Sequence, residues 1–430
     1  MSILIAIIIF GLIIFFHELG HFLLAKKAGI TVTEFSIGMG PRIASFVKGG
    51  TRYSLKILPI GGSCMMLGED DVTEQEGSFN SKNVWERISV IVAGPFFNFI
   101  LAFLLSLVMV GLMGYDPAVV TSVTEGQAAE SAGLQSGDVI TKIDGHKVVF
   151  GREVALYFMT DPAVAGETIE VEYERDGKSY ATTLVPENIQ SYKLGFGYTA
   201  NDSYVEVGSL VEGYPLAEAG MQAGDVITAI NGVSVSTGKE LEAYFSENPL
   251  GSEAVTITYV RNSLDYDITV TPKMVEGVSV GFTYNTGGTV KTDALGVIKY
   301  SFYEVKYVIT STFKSLGMLF TGKANTSDMA GPVRIVSELN NTVEVTKSYG
   351  IVTVIGNLLS WAILISANLG VMNLLPIPAL DGGRLVFLLI EAFRGKPIDR
   401  EKEGYVHMIG FILLMALMVF VFYNDIRNIF

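Results

Sequence analysis

Four long apolar stretches decide what this chain can fold into. Residues 2–16 carry no charge, 88–113 and 350–380 are uncharged throughout, and 408–423 form a shorter run. A helix that spans a bilayer needs about 20 apolar residues. The first stretch reaches that length by continuing through Phe22–Ala25 after a short polar interruption, and the fourth if Tyr405, Val406 and His407 begin it. Several such runs in one chain argue against the buried core helices of a soluble protein. Composition agrees: 49% of residues are apolar and 17% charged, against roughly 25% charged in soluble domains. A single cysteine, Cys64, excludes an internal disulfide framework and an all-cysteine zinc site. The net charge of −14 argues against a nucleic-acid partner.

The first stretch lacks a basic segment before it and an A-x-A-like cleavage site after it, so it is expected as a retained span. Orientation follows from Lys/Arg placement. Segments 26–87 and 384–402 hold 13 Lys/Arg in 81 residues, whereas 116–347 hold 16 in 232 together with 30 Asp/Glu. The two short basic segments are therefore expected in the cytoplasm. The acidic middle and both termini are expected outside the cell membrane, and all four spans satisfy this alternation.

The acidic middle is duplicated. Residues 120–145 and 207–232 align without a gap, with 14 identities in 26. Gly126, Gly133, Gly137, Asp138 and Gly145 recur as Gly213, Gly220, Gly224, Asp225 and Gly232. The spacing is that of a small domain, not a solenoid unit. The pattern of a short helix, a glycine turn and a strand resembles PDZ domains of the bacterial protease type. Such domains bind extended peptides by adding a strand to a sheet edge; modules that act only as spacers are the alternative. Gly195-Phe196-Gly197 and Gly281-Phe282 fit the carboxylate-loop strands of the two modules, although a turn before an ordinary strand reads the same. Downstream, Tyr300, Phe302, Val305, Tyr307, Val308, Phe313, Leu316 and Phe320 stand among scattered lysines within 295–325. This reads as an amphipathic helix at the outer membrane surface or packed on a module.

Residues His17-Glu18-Leu19-Gly20-His21 form an H-E-x-x-H motif in the first span. On a helix, positions i and i+4 share a face, so two imidazoles point at one ion and Glu18 reaches a water beside it. From Ile3 to His17 is about 21 Å at 1.5 Å per residue, which puts the motif inside the bilayer near its Lys26 end. A charged Glu at such depth costs at least about 2.5 kcal/mol, and ionisable residues there are usually functional. The alternative is a pair of helix-packing histidines with a protonated Glu. Two histidines leave a zinc site short of a ligand. His146 lies outside the membrane and His407 has no acidic or histidine neighbour in its span. Asp381 closes the third apolar stretch and is the better candidate. Pro376 and Pro378 keep the chain before it extended, and irregular backbone at membrane depth survives only inside protein or lining a cavity.

These residues resemble the site-2 protease family of intramembrane zinc metalloproteases, and in particular its branch of bacterial sigma-E regulators. The shared features run in the family order. They are the H-E-x-x-H motif, Ile37-Gly38-Met39-Gly40-Pro41, Gly61-Gly62 leading to Gly68-Glu69, Ala93-Gly94-Pro95-Phe96-Phe97-Asn98, the paired PDZ-like repeats, Ala330-Gly331-Pro332, and Asn373 to Gly383 with Pro376, Pro378 and Asp381. The resemblance implies that His17, His21 and Asp381 hold Zn2+ and that Glu18 is the catalytic base. It implies that Asn373, and more weakly Asn368, contact the substrate backbone, with Pro376, Pro378, Gly61 and Gly62 nearby. It implies β-hairpin loops over 30–69 that dip into the membrane, and as substrates single-pass membrane proteins already shortened outside, such as anti-sigma factors or signal-peptide remnants. Ser63-Cys64-Met65-Met66 departs from the Tyr-Val-Lys/Arg-Met common at that place. Residues 54–66 are expected to offer a free sheet edge to an opened substrate strand.

The expected architecture is a multi-pass α-helical membrane protein with four transmembrane helices, a membrane-dipping β-hairpin region and two extracytoplasmic α+β PDZ domains. Its segments are a first span at 1–27, β-loops at 28–82, a second span at 83–115, repeats at 116–201 and 202–290 and an amphipathic linker at 291–348. A third span at 349–383, a cytoplasmic loop at 384–403 and a fourth span at 404–430 complete it. A metal transporter and a silent PDZ scaffold are the competing classes; a single His/His/Asp set argues against the first and the intact Glu18 against the second.

Overall fold

The computed structural model describes residues 2–69, 75–200, 204–323 and 331–429. In chain order the elements begin with α1 (Ser2–Lys27), β1 (Val32–Lys48), β2 (Thr51–Met66) and α2 (Val84–Met113). The first repeat follows with β3 (Val120–Val123), α3 (Ala128–Ser131), β4 (Val139–Ile143), β5 (His146–Lys147), α4 (Gly151–Thr160), β6 (Ile169–Arg175), β7 (Lys178–Leu184), β8 (Glu187–Lys193) and β9 (Phe196–Ala200). The second has β10 (Val205–Leu210), α5 (Pro215–Glu218), β11 (Val226–Ile230), β12 (Val233–Ser234), α6 (Gly238–Glu247), β13 (Val255–Arg261), β14 (Leu264–Val270), β15 (Lys273–Ser279) and β16 (Phe282–Tyr284). The chain ends with α7 (Ala294–Phe320), α8 (Pro332–Thr346), α9 (Ile351–Leu374), α10 (Asp381–Arg394) and α11 (Arg400–Ile429). It divides into two compact units. One is Met1–Pro117, Val149–Leu156 and Thr286–Phe430; the other is Ala118–Val148 and Tyr157–Asn285.

In the first unit four described helices are long and apolar enough to cross a membrane: Ile3–Lys27, Val84–Met113, Ile351–Leu374 and Glu401–Arg427. The helix α2 starts at Asn83, whose side chain accepts from Trp85 N–H while Glu86 accepts from Asn83 N–H, satisfying donors that the first turn leaves free. It packs against α1, α7, α9 and α10. Ala102, Met109 and Val110 of α2 share one core with Val305, Val308, Ile363 and Ala367. The helix α7 thus buries one stripe on the apolar helices while Leu295, Ile298, Phe302, Phe313 and Phe320 stay exposed. The part of the expected amphipathic segment at 324–325, and Ala330 of the Ala-Gly-Pro motif, lie outside the described residues.

Within this unit α9 stops at Leu374, because Pro376 forces Leu375 into an extended conformation. The loop expected over 384–403 is mostly helix: α10 carries Asp381 in its first turn and Arg394 in its last, and ends on left-handed Gly395. These charges suit the helix dipole and the glycine supplies the cap; Leu388 faces the core and Glu391 pairs with Arg87, so the segment has a buried face that a loop lacks. At the far end of α11, Asp425 accepts from the N–H groups of Gly331, Val333 and Arg334 at 2.9, 3.1 and 3.0 Å, which caps α8.

The strands β1 and β2 form one long antiparallel hairpin, with Phe46↔Tyr53 near its tip and Phe35↔Cys64 near its base. It also folds back on itself: Glu34↔Arg52, Phe35↔Tyr53 and Ser36↔Ser54 pair with both numbers rising together. The segment 34–37 is therefore flanked on both sides. The expected free edge at 54–66 loses Ser54 and Leu55, which are paired on one side with 44–45 and on the other with 36–37; among the described residues Lys56 and Leu58 pair only with Arg42 and Met39, and 62–66 only with 32–37. Gly38 permits the fold, with φ +85° and no room for a Cβ, which would meet Leu58 O at 2.4 Å.

In the second unit the two repeats are not consecutive blocks. One sheet runs β14-β13-β11-β10-β9 with β12 on β11, and another β5-β4-β6-β7. The strand β9, which precedes the second repeat, pairs with β10, while β16, which follows it, returns to pair with β3 of the first. The connecting strands β8 and β15 pair with each other. The first module is therefore split around the second, and the boundary expected at 201/202 cuts the paired hairpin β9–β10. Short-range reading missed this because an offset between repeats is blind to which strand a returning segment joins. In each copy the recurring aspartate holds an arginine: Asp138 with Arg175 and Asp225 with Arg261, at 2.6–2.7 Å and 2.6 Å.

Candidate metal centre

Three segments build the site. The helix α1 presents His17 and His21 one turn apart, α10 begins with Asp381, and α2 backs them. Close approach is made by missing side chains. A Cβ on Gly20 would meet Ala93 O at 2.3 Å, and one on Gly94 would meet His21 Nε2 at 2.2 Å and His17 Cε1 at 2.9 Å. Likewise Gly382 and Gly383 let the start of α10 sit on the end of α9 and the Pro-rich turn, where Cβ atoms would meet Leu375 O at 2.0 Å and Ile377 O at 2.6 Å. Ala379, two residues before Asp381, is held at φ +76° with its N–H donated to His407 Nδ1 at 2.9 Å.

The three candidate ligand atoms converge. His17 Nε2 lies 3.3 Å from His21 Nε2, and Asp381 Oδ2 lies 3.2 Å and 3.4 Å from the two. Tetrahedral bonds of about 2.0–2.1 Å place neighbouring ligand atoms about 3.3–3.4 Å apart, so this triangle has the size that zinc needs. Asp381 Oδ2 is buried and accepts no hydrogen bond, which leaves it an unsatisfied anion that a cation would complete. His21 Nδ1 stands 2.8 Å from Val90 O; donating there fixes the tautomer whose Nε2 is bare. The donor set of two imidazoles and one carboxylate is that of a zinc site with an open position.

A cavity of about 490 Å³ opens on this triangle, lined by Glu18, Gly62, Cys64, Met66, Glu69 and Arg384 among others. A second polar chamber of about 190 Å³ shares Glu69, Ile91 and Arg384 with it. Gly62 lies against the motif helix, where a Cβ would sit 2.8 Å from Glu18 Cγ. The remaining candidates are farther out. Pro378 lines an apolar pocket with Ile409 and Gly410. Gly61 turns at φ +85° against Met39. Asn368 accepts from Thr312 Oγ1 of α7. Asn373, half-buried in the last turn of α9, and Pro376 are not among the residues that line the cavity. Gly94, Asn98 and the Val90 carbonyl are site features that the sequence reading does not single out; the Ala-Gly-Pro-Phe-Phe-Asn run carried a signal for Gly94 and Asn98 alone.

Helices long and apolar enough to cross a membrane, with two histidines and an aspartate that could hold a metal ion beside a glutamate, point to a class, the membrane zinc metallopeptidases. A family model described as Peptidase family M50 matches residues 5–417, and the chain belongs to that family. It is 33% identical to the zinc metalloprotease RasP of Geobacillus kaustophilus over 100% of this chain and 98% of the relative. It is 33% identical to the regulator of sigma-W protease RasP of Bacillus subtilis over 99% and 98%. Among solved structures, the HtrA3 PDZ domain bound to a phage-derived ligand covers 21% of this chain and 92% of its own, at 20% identity and a TM-score of 0.19.

Proposed function

We propose that this zinc metallopeptidase cleaves within the bilayer, hydrolysing a peptide bond in the transmembrane segment of single-pass proteins already shortened outside, such as anti-sigma factors and signal-peptide remnants. The observation that carries the reading is the convergence of His17, His21 and Asp381 beside Glu18 on helices long enough to span a membrane. The two imidazoles and the carboxylate hold zinc, which when bound supplies Lewis acidity and activates water near neutral pH. Glu18 takes the proton from the attacking water and passes it to the leaving amine.

An amide in a spanning helix is hydrogen-bonded internally and must be opened before attack. The opened strand regains partners on the hairpin edge at 62–66, which lies on the cavity, in a region that dips into the membrane. Asn373 takes one further backbone group, with Asn368, Pro376, Pro378 and Gly61 shaping the approach. Water reaches the site from the cytoplasmic end through the chamber bordered by Glu69 and Arg384. The two repeats are PDZ modules on the outer side that exclude substrates with bulky outer domains; the groove of the second, between β9 and α6, has room for a peptide.

The test is co-expression with candidate membrane substrates. Glu18→Gln is expected to keep zinc and lose cleavage by about 10²–10⁴-fold, the range for a positioned general base. Cleavage at the wild-type rate would end the reading.

A further inference from the structure

We propose that Asn98 is the positioning residue for His17: its amide oxygen accepts the Nδ1–H of the imidazole and leaves Nε2 as the bare nitrogen that faces the ion. The proposal rests on the reading of His17 as a ligand.

A neutral imidazole carries one proton, and ligation through Nε2 requires that it sit on Nδ1. His17 Nε2 is the nitrogen in the triangle, 3.2 Å from Asp381 Oδ2. His17 Nδ1 faces the Asn98 amide at 3.2 Å, with Nδ2 drawn toward it and Oδ1 buried without a partner. Two N–H groups facing each other across that distance repel. Turning the amide by half a rotation exchanges two nearly isosteric atoms and gives the Nδ1–H its acceptor.

The support is rigid. Asn98 is 0% exposed, and its backbone carbonyl receives the hydroxyl of Ser366 at 2.8 Å, which ties α2 to α9 at this level. Val90, Gly94 and Asn98 stand at successive turns of α2. The first gives a carbonyl to His21, the second gives both rings room, and the third gives an oxygen to His17. One helix face thus sets both tautomers.

The experiment measures zinc affinity of the purified full chain by chelator competition, without reference to turnover. Asn98→Leu, close in volume and unable to accept, is expected to bind zinc about 10–100-fold more weakly, the usual cost of losing such a partner. Asn98→Asp offers two acceptor oxygens and no N–H, and is expected to hold zinc within about threefold of wild type or more tightly. Wild-type affinity in Asn98→Leu would overturn the proposal, as would an Asn98→Asp as weak as Asn98→Leu. Should the leucine chain fail to fold, Asn98→Ala, which also removes the acceptor, takes its place: an affinity within about threefold of wild type would overturn the proposal. His17→Ala with unchanged affinity would instead remove the ligand reading itself, which keeps the two failures distinct.

Discussion

His17 Nε2 and Asp381 Oδ2 stand 3.2 Å apart, so the first apolar helix and a turn near the far end of the chain close one site. A four-ligand zinc site is worth about 10–16 kcal/mol, or roughly 2.5–4 kcal/mol per ligand. Asp381→Ala is therefore expected to weaken zinc by about 10²–10³-fold. Metal content after dialysis against a graded chelator checks this, and a chain that holds zinc as before would exclude Asp381 from the ligand set.

Gly94 has no side chain because both imidazoles occupy that space. Gly94→Ala puts a methyl 2.2 Å from His21 Nε2, and helix backbone cannot retreat as a flexible side chain does. Zinc affinity and cleavage are expected to fall together while the thermal midpoint of the metal-free protein changes little. A loss of folding without a separate loss of zinc would count against a local effect.

Arg152 lies between Glu304 and Asp116, 3.2 Å from the latter, and stacks on Phe150 and Tyr307 at 4.6 and 4.7 Å. Burial pushes both carboxyls up, Arg152 opposing it. Removing one partner of a buried ion pair costs about 3–5 kcal/mol. Arg152→Ala is expected to destabilise the chain by that amount, and the added change Glu304→Gln to restore part of it. Unfolding in denaturant measures both. Any deletion of 120–285 made to test the substrate filter also removes Arg152, so it should carry Glu304→Gln.

Glu34 is held down to about 2 by its hydrogen bonds from Arg42, against the opposing effect of burial and with help from Lys56. A depressed folded-state value stabilises only while the carboxyl is ionised. The contribution is full above the unfolded value of 4.5 and is lost as pH falls from there through about 2. The difference in thermal midpoint between wild type and Glu34→Gln should thus close between pH 5 and 2. A gap that stays constant over that window would show that Glu34 does not anchor the folded hairpin through its charge.

The apolar spans and the convergence of His17, His21 and Asp381 were legible for different reasons. Apolar runs announce themselves by length, and H-E-x-x-H by helical spacing. Asp381 was reachable because a carboxylate at the end of an uncharged stretch has few other uses. The loop assigned to 384–403 hid a helix, because its buried stripe of Leu385 and Leu388 is short and interrupted by Arg384 and Glu391, whose partners Glu69 and Arg87 lie far away in sequence. The acceptor behind His21 was invisible because the Val90 carbonyl has no residue identity, whereas Asn98 stood in the Ala-Gly-Pro-Phe-Phe-Asn run with nothing to say which ring it would face.

Sequence alone determined the elements that depend on local repetition: membrane helices, the duplicated acidic module, and the two histidines that one helix turn brings together. Tertiary structure alone decided what depends on which strangers meet. It split the first module around the second through the return of β16 to β3, closed the hairpin edge at 54–55 by pairing it on both sides, and set α2 behind His17, His21 and Asp381. Side-chain periodicity fixes a face, but the partner of that face is chosen by packing across the whole chain, where a glycine's absent methyl weighs as much as any charged group.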